Sequence, residues 1–247
     1  MTRTFAAAAF VAALLSTTAI YAADAVPAAI SAAVADAGRP AADKERDANR
    51  KPAETVAFAG VKPGMTVAEL GPGGGYYTKI LSKAVGPKGK VFALITKAQA
   101  ERAGFLDGMK AWASAYPNVT IVTVDFGTMM LPEKADVLWT TENYHDFHNG
   151  PTANVAGLNK SVFENLKPGG IFYVEDHAAA KGAGAEATSK VHRMDEDIAK
   201  SELTAVGFKV DAEGNVLRNP ADNKVSGNSE SGAHFATDRF MLRMKKP

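Results

Sequence analysis

The chain has 247 residues, of which 46% are hydrophobic, 22% charged and 8% aromatic, and its formal net charge is +1. This composition supplies enough apolar mass for a packed core and excludes disorder as the dominant state. The near-neutral balance leaves no electrostatic footprint for nucleic acid and no polybasic membrane anchor. The absence of cysteine excludes disulfide scaffolds, Cys-ligated zinc, iron–sulfur clusters and cysteine nucleophiles.

At the start, Arg3 precedes a mostly apolar run from Phe5 to Ile20, and small residues follow at Ala22, Ala23 and Ala25. This is the order of a cleaved secretory signal, and the run is short for a spanning helix, which needs about 20 apolar residues. An uncleaved anchor or a buried helix is the competing reading. Residues 1–23 are therefore expected to be a signal peptide, with export most simply to a bacterial periplasm and no stable membrane anchor after cleavage. Residues 24–40, Ala-rich with Pro27, Gly38 and Pro40, read as a linker. Residues 41–247 read as one domain. From Ala41 to Ala59 a charged amphipathic stretch is expected to turn its charges to solvent, before the punctuation of Gly60-Val-Lys-Pro-Gly64.

Strands and helices then alternate. Met65 to Leu70 reads as a buried strand. Tyr77, Ile80, Leu81 and Ala84 form a helical stripe that stops at Gly86-Pro87. Lys90 to Ile95 is a second strand, and Leu106, Met109 and Trp112 mark a helix ended by Pro117. Val119 to Val124 and Ala135 to Thr141 are the third and fourth strands. Val155, Leu158, Val162 and Leu166 make a helical face, Lys167-Pro-Gly-Gly170 a turn, and Ile171 to Val174 a fifth strand. A helix over 194–205 and strands at 208–210 and 239–244 complete the chain. Such alternation implies βαβ units, a mainly parallel sheet covered on both faces, and a ligand crevice beyond the carboxyl ends of the strands.

Between the first strand and the first helix lies Glu69-Leu-Gly71-Pro-Gly73-Gly-Gly75. Bare backbone there admits a ligand, and the helix N-terminus offers N–H groups. A tight turn that merely needs glycines is the plainer reading. No Gly-Lys-Ser/Thr follows, so this is not a P-loop, and Tyr76 stands where a dinucleotide fingerprint needs its third glycine.

The run Val67 to Gly75 resembles motif I of class I S-adenosylmethionine-dependent methyltransferases, and Leu166-Lys-Pro-Gly-Gly170 resembles their later motif. With Arg50-Lys-Pro-Ala-Glu54, Tyr144-His-Asp146, His192-Arg-Met-Asp-Glu196, Leu217-Arg-Asn-Pro220 and Thr237-Asp-Arg-Phe240, the ordered set resembles a family of exported bacterial predicted methyltransferases over about residues 40–247. The resemblance implies an α/β, Rossmann-like three-layer sandwich, its sheet mostly parallel and seven-stranded with an antiparallel last strand. It implies S-adenosyl-L-methionine as cofactor; the acceptor itself is expected to be a small molecule. Gly71, Gly73 and Gly75 would line the methionine and ribose part, Glu69 would sit near the amino group, and Asp125 would meet the adenine. The second strand ends in Leu94-Ile-Thr96 where most relatives carry a ribose-binding acid, so Thr96 is the candidate there and the weaker partner for a diol.

The five histidines are His145, His148, His177, His192 and His234. The first three follow strands whose ends should converge on one mouth, and His192 approaches from the next helix. In one reading His145 or Asp146 is a general base for the acceptor, suited by histidine's near-neutral pKa. In another, His and Asp side chains hold a divalent metal such as zinc or manganese. In a third they only fix backbone. The reading adopted takes His145 and Asp146 as catalytic and Tyr144, Asp176, His177 and His192 as substrate or lid groups, and assigns no metal. His148, in a turn-forming sequence, and His234, in a polar loop, are the weakest candidates. Residues 178–190 form a flexible lid or a simple connector. Tyr76 and Tyr144 are candidates for stacking on a substrate, while Tyr77, Trp112 and Trp139 are expected in the core. The competing function is an exported metal- or ligand-binding protein that kept the fold and lost the cofactor.

Overall fold

The computed structural model describes residues 25–151, 153–225 and 236–247. The expected signal segment 1–23 and His234 lie outside them. Four short helices come first: α1 (Ala28–Val34), α2 (Ala41–Lys44), α3 (Asp47–Arg50) and α4 (Pro52–Phe58). Then follow β1 (Thr66–Leu70), α5 (Tyr76–Val85), β2 (Lys90–Ile95), α6 (Lys97–Ala100), α7 (Phe105–Ala113), β3 (Val119–Thr123) and β4 (Ala135–Thr141). The chain ends with α8 (Val155–Asn165), β5 (Leu166–His177), α9 (Ala187–Val191), α10 (Glu196–Ala205), β6 (Lys209–Gly214) and β7 (Arg239–Lys245).

The described strands form one seven-stranded sheet in the order β3-β2-β1-β4-β5-β7-β6. The first five are parallel, and β7 runs antiparallel to both β5 and β6. Helix α5 and the N-terminal helices cover one face, where Val56, Ile80 and Leu81 pack with Trp139 and Tyr173. Helices α8 and α10 cover the other, where Leu158, Val162 and Leu203 pack with Leu138, Phe172 and Phe240. Met109 and Trp112 of α7 cover Ala93 and Ile95 of β2. Burial on both faces explains why β1 reads as an unbroken run rather than an alternating one. The winding reverses between β1 and β4, and the loops after these two strands part there.

Three expectations change. Residues 24–40 are not merely a linker: their alanines favour helix, and α1 buries Ile30 and Ala33. Arg39 is buried behind it, donating to Val34 O at 2.6 Å and to both oxygens of Asp47 at 2.8 and 2.7 Å. The 41–59 stretch is no solvated amphipathic helix. Lys51 at φ 40 breaks it into short pieces, and its charges turn inward, Asp43 to Lys79 at 2.8 Å and Asp47 to the Tyr76 hydroxyl at 2.6 Å. Strand β5 is also longer than the apolar run Ile171 to Val174. Leu166 belongs to it rather than to the helix, and Glu175, Asp176 and His177 extend it because β7 pairs with them.

Candidate active site

At the reversal point a cavity of about 820 Å³ opens, within the roughly 300–1,000 Å³ typical of small-ligand sites. It runs from Gly71 past Thr96 and Gln99 to Asp125 and Phe126, and on to Asp146 and Phe147. A smaller chamber of about 160 Å³ adjoins it, lined by Arg46, Glu69, Gly73 and Tyr76 among others. Gly71 and Asn143 line both. The Asn143 amide donates to Thr141 O at 2.8 Å and to Gly71 O at 3.2 Å, which ties the loop after β4 to the loop after β1.

The glycines divide the work. At Gly73, with φ +54, an added Cβ would meet nothing within 4 Å, so the bare backbone borders open space. Gly75 lines neither space. It starts α5 in the left-handed region, and a Cβ there would stand 2.6 Å from the Trp112 ring. Its need is packing, which corrects the cofactor role expected for it. Gly75→Ala is therefore expected to lower stability by about 1–3 kcal/mol through overpacking and backbone strain, measured by urea unfolding. An unchanged midpoint would contradict this.

Glu69, the penultimate residue of β1, is buried, its carboxylate accepting from Thr78 Oγ1. Burial pushes its pKa up to about 7, against the opposing pull of Thr78, Arg50 and Lys79. The sign follows: the neutral form favours the fold below the ordinary 4.5, and that contribution fades as pH rises through about 7. Glu69→Gln is expected to reduce the fall in stability between pH 5 and pH 8, read from urea midpoints at both, with the share from buried Glu175 remaining. A variant as pH-dependent as the parent in that window would refute it.

Behind the chamber lies an ionic lattice. Arg239 donates to Glu142 at 2.9 Å and to Glu175 at 3.0 Å, and Arg50 also donates to Glu142. Glu142 adopts φ 53, a conformation a non-glycine residue keeps only where its surroundings impose it. Arg46, by contrast, lines the chamber without a salt bridge among the described residues and lies over the Tyr76 ring, with Glu142 and Asp43 acting on it at longer range.

Thr96 lines the cavity, but its hydroxyl accepts from Gln99 N at 3.1 Å as the N-cap of α6, in a capping box. Asp125 accepts from Gly127 N at 2.9 Å and also lines the cavity.

At the acceptor end, Asp176 is fully buried and organises its neighbours. It accepts from His145 N and from His177 N, each at 2.7 Å, and lies 2.7 Å from His145 Nδ1. His145 Nε2 then stands 3.4 Å from Asp146 Oδ1, and His192 Nδ1 stands 3.6 Å from the same oxygen. Burial opposes the His145 imidazolium, but Asp176, with Asp146 and Glu142, outweighs it and holds the pKa above the ordinary value. His177 is buried against Thr237 Oγ1 at 2.7 Å, and burial lowers its pKa to about 4. Asp176 and His177 therefore support the site from behind; the substrate or lid role expected for them does not fit their burial.

Tyr144 is likewise corrected. It is fully buried, its hydroxyl donating to Glu202 at 2.9 Å and accepting from Asn159 at 2.8 Å. His148 joins the same Glu202 at 3.0 Å, away from His145. The 178–190 segment is pinned at α9, where Thr188 and Asn149 exchange hydrogen bonds at 3.0 and 3.1 Å. Sequence reasoning assigned no role to Arg46, Gln99, Asn143 or Glu142. Asn143 and Glu142 stand beside His145 in the sequence, which was the available signal. Arg46 and Gln99 carried none.

No known sequence family matches the chain, and no curated relative does. Solved structures do. A SAM-dependent methyltransferase from Aquifex aeolicus superposes with a TM-score of 0.59 at 19% identity, over 85% of this chain and 99% of that one. The [4+2]-cyclase SpnF gives 0.58 at 16% identity, over 86% and 84%. The glycopeptide N-methyltransferase MtfA, complexed with S-adenosyl-L-methionine, gives 0.53 at 19% identity, over 78% and 86%. The architecture is thus the Rossmann-like α/β fold of the class I methyltransferases, mostly parallel with an antiparallel β5-β7-β6 end.

Proposed function

We propose that the protein is an S-adenosylmethionine-dependent methyltransferase acting on a small acceptor. One observation carries this reading: an open cavity runs from Gly71 to Asp125, and the bare backbone of Gly73 borders open space in the chamber that adjoins it. A filled slot would have favoured a protein that kept the fold and lost the cofactor. The donor set also fits. Glu69 suits an amino group, Arg46 a carboxylate, Thr96 and Gln99 the ribose, and Asp125 with Phe126 the adenine.

When bound, the cofactor supplies an electrophilic methyl group on a sulfonium. The chain's own residues then position. Gly71 and Asn143 line both the chamber and the larger cavity where the two adjoin, and Asp146, with the buried His145 3.4 Å from it, meets the acceptor at the far end. Methyl transfer needs an in-line approach, so orientation supplies most of the rate. The near-neutral charge supports a small acceptor rather than nucleic acid. The N-terminal pattern at 1–23 supports export.

Calorimetric titration with S-adenosylmethionine and S-adenosylhomocysteine tests the reading. One-to-one binding in the micromolar range and a raised melting temperature are expected. No heat and no thermal shift with either ligand would overturn it. Affinity is further expected to rise between pH 6 and pH 8, because an ammonium group beside Glu69 favours its ionised form, and proton release should accompany binding near pH 7.

A further inference from the structure

We propose that His145 Nε2, His192 Nδ1 and Asp146 Oδ1 form a binding site for a divalent first-row cation at the acceptor end of the cavity. The three atoms lie within 4.8 Å of one another. The two histidine nitrogens stand 3.4 and 3.6 Å from the carboxylate oxygen. Metal bonds of about 2.0–2.2 Å at tetrahedral angles place neighbouring ligand atoms about 3.3–3.6 Å apart. The two nitrogen–oxygen separations thus match ligands sharing one ion, and the two nitrogens lie within 4.8 Å of each other.

Two further observations separate this trio from a chance surface cluster. Asp176, fully buried, lies 2.7 Å from His145 Nδ1. That contact places the ring proton on Nδ1 and leaves Nε2 as the ligand atom, the carboxylate–histidine arrangement that orients metal ligands. The same carboxylate also accepts from His145 N, so backbone and ring are fixed together. His192, for its part, is held at φ 50 at the end of α9. A non-glycine residue held there costs about 1–3 kcal/mol, and such strain clusters where a side chain must be aimed.

Two imidazoles and one carboxylate suit zinc or manganese and leave coordination positions unfilled. Asp146 lines the cavity, so those positions face its contents. They suit an acceptor with an oxygen donor beside the group to be methylated. The role in catalysis rests on the methyltransferase reading; the cation site itself does not.

The test uses untagged protein, stripped with chelator and desalted. Zinc titrated alone should bind one-to-one with a dissociation constant in the micromolar range or tighter. Cobalt should give the visible absorption of a low-coordinate site. His192→Ala and Asp146→Asn, both at half-exposed positions, should each weaken zinc about 10- to 100-fold, with far-UV circular dichroism confirming the fold. Substoichiometric zinc, or unchanged affinity in both folded variants, overturns the site. Titrating S-adenosylhomocysteine into the same parent protein separates the two ideas. Zinc without the nucleoside leaves the cation site standing and removes the methyltransferase reading. The nucleoside without zinc does the reverse.

Discussion

Replacing Arg239 by alanine is expected to lower the unfolding free energy by about 3–5 kcal/mol, the loss seen when one partner of a buried ion pair is removed. For a chain of this size that corresponds to a melting temperature roughly 6–20 °C lower. Arg239 is buried and bridges Glu142 at 2.9 Å to Glu175 at 3.0 Å, and it also donates to Asn49 O. Glu142 would keep Arg50. Glu175, with no exposed side-chain surface, would keep the Tyr173 hydroxyl at 3.2 Å and the longer-range pull of Arg50, but no ion pair. An uncompensated carboxylate there must bind a proton or unfold the strand. Adding Glu175→Gln to Arg239→Met should recover part of the loss, because the variant pair removes the buried charge together with its partner. Urea melts at pH 7 decide it. A loss below 1 kcal/mol for Arg239→Ala would show that the lattice adds little.

Gly73→Leu is expected to cost little stability and nearly all cofactor affinity. The left-handed backbone, at φ +54, charges a side chain about 1–2 kcal/mol. No atom stands within 4 Å of the new Cβ, so the fold accommodates it. The leucine would then occupy space that the ligand needs, and S-adenosylhomocysteine affinity should fall by at least about 100-fold. Gly73→Ala carries the same strain with less bulk and should bind appreciably better than the leucine variant. Equal binding by the parent and Gly73→Leu would show that the ligand does not occupy the chamber beside Gly73. The contrast with Gly75 is instructive: two residues along, added bulk meets Trp112 and is felt in folding instead.

The parts legible in the sequence are those with a local signature. The strand runs, the stripe Tyr77–Ile80–Leu81–Ala84 and the stop at Gly86 each depend on residues a few positions apart. The seven-stranded architecture followed from them and from the resemblance at Gly71 to Gly75. The ionic lattice had no such signature. Arg50 and Glu142 are 92 residues apart, Glu175 and Arg239 are 64, and only the sheet order brings them together. Burial was likewise invisible for polar residues. Tyr144 and Asp176 read as mouth residues because they follow strands, yet their partners Glu202 and His145 draw them inward. Thr96 looked like a ribose contact because it ends β2. The same position begins α6, and its hydroxyl also serves as a cap.

Strand β5 carries Glu175 and Asp176 side by side, and pleating sends successive side chains to opposite faces. Glu175 reaches the arginines behind the chamber, while Asp176 reaches His145 at the far end of the cavity. A slip of one residue would exchange the two, delivering Asp176 to the arginines and stripping His145 of its support. The unbroken pairing from Ile171 to His177 against β7 prevents that slip. The antiparallel pair of β6 and β7, which lines neither compartment, is thus the ruler that keeps both correctly equipped.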